Sequence, residues 1–340
     1  MKVITLASGK TRTIFPEGLN YSYIDGDQWY QWSPDGQWFL IEHNSFGERW
    51  SNEVALLDVK GEKEPINLTK SGYEDYGQKW MMGGKMMIWF TDRYGRRNHG
   101  GWGFDSDLLG MFFTQDAWDR YNLSEAELEI LEKQEEEAEK NKDDDQDDEG
   151  KDDDEGKDDD ESKDDDDDSS IKLPDPVPME LSGIEDRTIR LTTHSSRLAD
   201  AVLTSDGEQL LYLARFEEGY DLWSYKHRTS DIELLTKLSA RRISSFTIDA
   251  DDENLYMIAD GKPIKIGLPG GKREGISYSA SMYLNPASER EYMFEHAWRQ
   301  MLKKFYVEDM HGVDWEFYKK EYARFLPHIN NNWDFAEMLS

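Results

Sequence analysis

Cysteine is absent from this chain of 340 residues. That excludes disulfides and thiol nucleophiles, and it removes the usual ligand of a structural zinc ion. No apolar run approaches the roughly 18 residues that a membrane-spanning helix needs. The opening Met1-Lys2-Val3-Ile4 lacks the apolar core and cleavage site of a secretory leader. Positive charge is scarce: 40 Lys and Arg stand against 72 Asp and Glu, for a net charge of −32. Nucleic acid is therefore not expected as a partner, because phosphate binding requires Lys and Arg patches. Neither a Gly-x-Ser-x-Gly nucleophile elbow nor a His-Glu-x-x-His zinc motif occurs.

The acid is concentrated. Asp143–Asp168 is almost entirely Asp with Glu, Lys and Gly, and it supplies about half of the net charge. A run with nothing apolar to bury and strong self-repulsion is expected to stay disordered. One window, Asp145, Asp147, Glu149 and Gly150, approaches a calcium-binding loop. Gly156 stands where the bidentate Glu belongs and no apolar helix flanks it, so neither metal nor cofactor is expected.

What the chain does have is a recurring strand pattern. Lys2–Leu6 and Thr11–Phe15 flank Ser8-Gly9-Lys10, reading as a hairpin. A fuller unit follows: Tyr30–Trp32, the tight-turn pair Asp35-Gly36, Trp38–Glu42, Glu53–Val59, a turn at Gly61-Glu62, and Pro65–Thr69. The order recurs with Lys79–Met82, Gly83-Gly84, Lys85–Thr91 and Asp107–Thr114. It recurs again from Leu198–Leu203 through Asp206-Gly207, Gln209–Arg215 and Tyr220–Lys226 to Ile232–Thr236. A fainter copy runs Arg242–Ile248, Asp251-Asp252, Leu255–Ile258 and Ile264–Leu268. With the acidic stretch removed, the turns lie roughly 45 residues apart, the spacing of four-stranded propeller blades.

The fold class expected is mainly β: a partial β-propeller of about four blades plus half a blade, followed by a short all-α segment. The divisions are 1–115 and 184–282 for blades, 116–183 for an acidic insertion, and 283–340 for helices. The insertion should hold a helix from Ser124 to Lys140, and Arg187–Leu191 should supply the fourth strand of the interrupted blade. Such an insertion is tolerated because loop closure grows only slowly with length. A closed ring usually has more blades, so further blades are expected before Met1.

The last stretch is helical. Ser288-Glu289-Arg290-Glu291 reads as a capping box, with an apolar stripe at Phe294, Trp298, Met301, Leu302 and Phe305. Gly312 breaks it, Asp314 caps a second helix ended by Pro327, and Asn332 caps a third with Phe335, Met338 and Leu339 inward.

Few residues suggest chemistry. Arg93, Arg96 and Arg97 suit a peptide carboxylate, or Arg93 forms a salt bridge between blades. His311 fits a turn between helices and His296 a helix surface; His43, His99, His194 and His227 fall in blades. Trp29, Trp32, Trp38, Trp50, Trp80, Trp89 and Trp102 fit the space between blades better than a sugar platform.

The block Glu289–Gln300, with Lys304-Phe305-Tyr306, Met310–Trp315 and Tyr322, resembles the start of the helical core domain of tricorn-type serine proteases. Gly183–Arg187, Arg190-Leu191, Trp32–Gly36 and Tyr220–Trp223 resemble that family's propeller. The resemblance implies a hexameric cytoplasmic peptidase with two propellers, a PDZ-like domain and a crotonase-like domain. It implies cleavage of short peptides by a Ser nucleophile with a His base. Both would lie beyond Ser340, so this chain is expected to be a fragment without catalytic residues and without activity of its own. The alternatives are a TolB-like propeller used only for binding, and a periplasmic location. A prolyl-oligopeptidase-like enzyme is disfavoured by the capped helices after the blades.

Overall fold

The computed structural model describes residues 1–16, 18–20, 28–44, 51–97, 103–146 and 175–340. The expectations for the Asp run and the calcium-like window lie outside these from residue 147 on, as do those for His99, Trp50 and Trp102. The chain divides into two units, Met1–Ile276 and Ser277–Ser340.

The first unit is a β-propeller arrangement of four antiparallel four-stranded sheets, preceded by a two-stranded one. The small sheet pairs β1 (Lys2–Ile4) with β2 (Thr11–Thr13). The first blade holds β3 (Tyr30–Trp32), β4 (Trp38–His43), β5 (Glu53–Asp58) and β6 (Ile66–Asn67). The second holds β7 (Asp75–Met81), β8 (Met86–Thr91), β9 (Asp107–Phe112) and β10 (Thr188–Arg190). The third runs β11 (Arg197–Leu203), β12 (Gln209–Arg215), β13 (Tyr220–Lys226) and β14 (Asp231–Ala240), and the fourth β15 (Ile243–Ile248), β16 (Asn254–Ala259), β17 (Lys262–Gly267) and β18 (Lys272–Gly275). Expected fold class and structure agree. The fourth strand β18 was not foreseen: Lys272-Arg273-Glu274-Gly275 carries no apolar residue and is fully exposed, so only its backbone pairing with β17 makes it a strand.

Successive side chains point to opposite sides, and the second strands of the first three blades, β4, β8 and β12, are apolar on both. In β4, Phe39 and Ile41 pack with Ile14 and Phe15, while Leu40 packs with Met87 and Trp89 of the next blade. In β8, Met87 and Trp89 face the first blade, and Met86, Ile88 and Phe90 face the third. In β12, Leu210, Tyr212 and Ala214 face the second blade, and Leu211 and Leu213 the fourth. Four cores thus lie between consecutive sheets rather than within any one. Each fully buried side chain contributes roughly 1.5–3 kcal/mol. A blade alone would leave both apolar faces wet, which is why blades come in series.

The insertion leaves β9 and returns to it. Thr114 caps α1 (Gln115–Asn122), accepting from the Ala117 amide at 3.2 Å. This helix was not foreseen; it carries only Ala117 and Tyr121 as buried residues, too few for a visible stripe. The helix expected from Ser124 is α2 (Glu125–Gln146). Its start is a closed capping box: the Ser124 amide donates to Glu127 at 2.8 Å and the Glu127 amide to the Ser124 hydroxyl at 3.4 Å. The chain comes back through a short turn at Ile184–Arg187, where buried Arg187 donates to the carbonyls of Phe112, Ser182 and Glu180. Thr188 then pairs with Met111, so β10 is the displaced fourth strand. The insertion starts in the second blade but leans on the third. His227 stacks on Tyr121 with centroids 4.0 Å apart, and buried Arg228 donates to the carbonyls of Arg120 and Leu123 while paired to Glu208.

The second unit holds α3 (Pro286–Lys304), α4 (Trp315–Ala323) and α5 (Asn332–Leu339). Three boundary expectations are corrected. The cap of α3 is Asn285, whose side chain accepts from the Ser288 amide at 3.2 Å; Pro286 at the first helical position sets φ, which places Ser288 inside the helix. Asn331, not Asn332, caps α5, accepting from the Asp334 amide at 2.9 Å. Pro327 lies inside a short turn, Leu326–His328, after the helix has ended. Asp314 caps α4 as expected, accepting from the Phe317 amide at 2.9 Å. Trp298 and Trp315 stack 4.6 Å apart, and each indole N–H donates to the other's carbonyl, locking α3 to α4. Phe294 and Phe335 are buried, while Met301, Leu302 and Leu339 of the expected stripes are not.

Candidate functional site

The turns joining the first two strands of each blade share one construction. In three blades a short oxygen-bearing side chain opens the turn: Ser33, Thr204 and Asp249. Each accepts from the amide five residues later, at Trp38 (2.9 Å), Gln209 (3.0 Å) and Asn254 (3.0 Å), and the two backbones pair there as well. Side-chain oxygens thus satisfy amides that the reversing backbone cannot reach. The second blade lacks such a residue. Its turn takes Met82, Gly83 and Gly84 at φ 51°, 63° and 96° instead, which two glycines make affordable.

These turns and the ends of the innermost strands β3, β7, β11 and β15 surround one pocket of about 360 Å³. Apolar Trp80, Val202, Leu203 and Phe246 and polar Gln31, Ser205, Asp249 and Asp252 are among its lining residues. Hydrogen bonds between blades hold it. The Trp80 amide and indole donate to Gln31, at 3.2 and 3.4 Å. Asp252 accepts from the amide and hydroxyl of Ser205 at 2.7 and 2.5 Å. The Lys79 ammonium pairs with Asp200 and donates to the Ala201 carbonyl at 3.2 Å, with the Phe246 ring 6.0 Å away. Hydrogen bonds from Asn254, first its side-chain amide and then its backbone, hold the Asp249 carboxyl below its usual range. The pocket is therefore lined by apolar and anionic side chains, and its one lining ammonium is neutralised.

The opposite end of β7 carries acids. Glu74 accepts from the amide and side chain of Asn52 at 3.2 and 3.0 Å, and its own amide donates to Asp92 at 3.1 Å. Burial, reinforced by the charges of Asp92 and Glu42, pushes the Glu74 carboxyl up to about 7. Burial also raises Glu42. No sequence pattern marked these residues, because they meet across two blades.

The arginines divide differently from expectation. Arg97, not Arg93, forms the ion pair, and it does so with Asp92 of its own loop. Arg93 instead lies over the rings of Tyr73 and Tyr94, at 5.9 and 5.4 Å. Arg96 is exposed. Trp38 and Trp89 are buried between blades and Trp80 packs on Phe113, whereas Trp29 and Trp32 remain about half exposed, so only some tryptophans fill that space. His311 sits in the turn before α4 at φ 56°, its ring 2.6 Å from the Tyr306 hydroxyl, and His296 stacks on Tyr292 along α3. His43 is buried in β4 beside Glu53. Among the described residues no group of three or more His, Asp or Glu is placed to hold a metal ion, and no helix is long and apolar enough to cross a membrane.

Residues 286–340 match the family model of the tricorn protease C1 domain. A crystal structure of tricorn protease superposes on 99% of the chain with a TM-score of 0.64 at 11% identity, and the chain spans 30% of that protein's length. TolB from Acinetobacter baumannii covers 82% of this chain, which spans 49% of that one, at TM-score 0.44 and 14% identity. A puromycin hydrolase covers 81%, the chain spanning 34% of it, at 0.44 and 10% identity. No curated protein sequence is significantly similar to the chain. Its helical end thus matches the model of the tricorn C1 domain, and the chain as a whole is similar in fold to tricorn protease.

Proposed function

We propose that this chain is the substrate-admitting propeller and the first core helices of a tricorn-like serine peptidase that degrades short peptides. The carrying observation is a C1 segment following a set of blades whose four innermost strands surround one pocket. The pocket suits an extended peptide: Trp80, Val202, Leu203 and Phe246 offer apolar contact, and polar turn residues line it as well. A folded chain is too wide for such a space, which protects folded proteins from an otherwise unselective hydrolase. The reactive Ser and His are supplied from outside these residues, in a cytoplasmic homo-hexameric assembly.

The test uses the purified chain and short unstructured peptides, read by tryptophan fluorescence and calorimetry. Binding should be saturable and should fall about tenfold or more in Thr247→Trp, which places a large ring in the pocket from an exposed strand position. Binding unaffected by Thr247→Trp would remove the pocket from the proposal. The chain alone should not cleave a fluorogenic peptide. Turnover abolished by a serine-directed inhibitor would overturn the assignment of the reactive groups, and a propeller that binds peptides with no peptidase partner would favour the binding-only alternative.

A further inference from the structure

A second cavity, of about 350 Å³, opens between α1 and α2 of the insertion, away from the axial pocket. Its floor is apolar: Leu123 and Leu131 are half-buried there, and Ile130 is 56% exposed on a helix otherwise covered in carboxylates. Its walls carry Asp116, Asp119, Glu127 and Glu135 against a single cation, Arg120. That cation is already spent. Its guanidinium reaches both oxygens of Glu135 at 2.9 Å and Glu132 at 3.4 Å, bracing α1 against α2. Hydrogen bonds from the Ser124 hydroxyl and amide hold the Glu127 carboxyl below its usual range, so it is ionised at neutral pH. The hairpin itself is anchored from beneath by Tyr121 on His227 and by Arg228. The groove is therefore a held shape and not a chance gap.

We infer that this groove docks a basic amphipathic segment of a partner protein, with its apolar side chains on Ile130 and Leu131 and its Lys or Arg side chains against Asp116, Asp119 and Glu127, which Arg120 does not pair. Charge decides the occupant. A second copy of a chain with net charge −32 is repelled, and an acidic peptide meets the same wall. A basic segment is drawn in by the same field, and only an apolar stripe gains from the floor.

The probe is a short fluorescein-labelled Lys/Leu peptide with helical spacing, set against a scrambled peptide of equal composition and a Glu/Leu counterpart. Anisotropy with the full chain should show binding of the first, weaker binding of the scrambled peptide and none of the third, falling as salt rises. Ile130→Asp should weaken binding about tenfold, and Asp119→Lys several-fold. Both positions are exposed, and an unchanged circular dichroism spectrum checks the fold. Deleting residues 151–168 removes most of the Asp run and should leave the Ile130 effect in place. Equal binding of ordered and scrambled peptides, or binding indifferent to Ile130→Asp, would reduce the effect to general attraction by acid and overturn the inference. So would a concentration-dependent dimer lost in Ile130→Asp, which would assign the groove to a second copy.

Discussion

The blades and the helices use similar apolar residues to opposite effect. In Met1–Ile276 strands β4, β5, β8, β9 and β12 bury both faces, and side chains such as Phe39, Leu56, Met86 and Leu211 have almost no exposure. In Ser277–Ser340 only Phe294, Met310 and Phe335 are buried apolar residues, while Tyr283, Tyr306 and Trp333 stand almost free. A strand flanked by sheets is covered by its neighbours in series. A helix presents one stripe, and three short helices cannot cover one another's stripes; most helical stability in proteins comes from such covering. The helical unit thus keeps far more of its apolar surface exposed than the blades do.

The largest effects should come from the cores of the two units. Leu211→Ala should cost roughly 2–5 kcal/mol and lower hydrogen-exchange protection across the third and fourth blades. Phe294→Ala should cost a similar amount but act within the helical unit, where Phe294 packs on Trp298. Protection lost equally in both units from either substitution would break the comparison.

Arg228→Ala tests whether the insertion is held by the third blade. Removing a buried guanidinium that serves Glu208 and two carbonyls at the end of α1 should cost about 2 kcal/mol. The loss should show first as faster exchange in α1, and α1 amides unchanged in this variant would mean that the helix holds itself.

Glu74 gives the blades a pH signature. Its folded-state pKa of about 7 lies above the unfolded value of 4.5, so protonation favours the fold. This contribution is fully present below about pH 4.5 and is lost as pH rises through about 7. Glu74→Gln should therefore flatten the stability profile between those values and stabilise the blades at pH 8 by on the order of 1–2 kcal/mol, after allowance for solvent access. A profile unchanged by the substitution, read from chemical unfolding at several pH values, would place the charge outside the buried cluster.

The smallest effect sharpens the helical side. Asn285→Ala should cost about 1 kcal/mol and fray the first turn of α3, whereas Ser288→Ala should cost only a few tenths. The reverse order would restore the Ser288 capping box.

Much of this architecture could be read from residue order. The Asp35-Gly36 and Asp206-Gly207 turns stand out because glycine frees the backbone there, and the two-faced apolar runs beside them admit only buried strands. The displaced strand β10 was legible because Thr188–Arg190 is β-forming and its blade was one strand short. β18 and α1 were not legible. One has no apolar residue, and the other buries two side chains between its own blade and the next. The cap of α3 was misread because two capping patterns overlap, and the proline at its first position decides between them.

Local chemistry, then, determined by itself where the strands reverse, which strands are buried on both faces, and that helices follow blades. Those outcomes depend on the backbone freedom of glycine and on side-chain alternation, which neighbours in sequence already set. Only the tertiary structure decided that Lys79 meets Asp200, that Glu74 lies among carboxylates, and that Arg228 holds α1. Each of these joins residues far apart in the chain, and their charge is tuned by burial that no local pattern encodes.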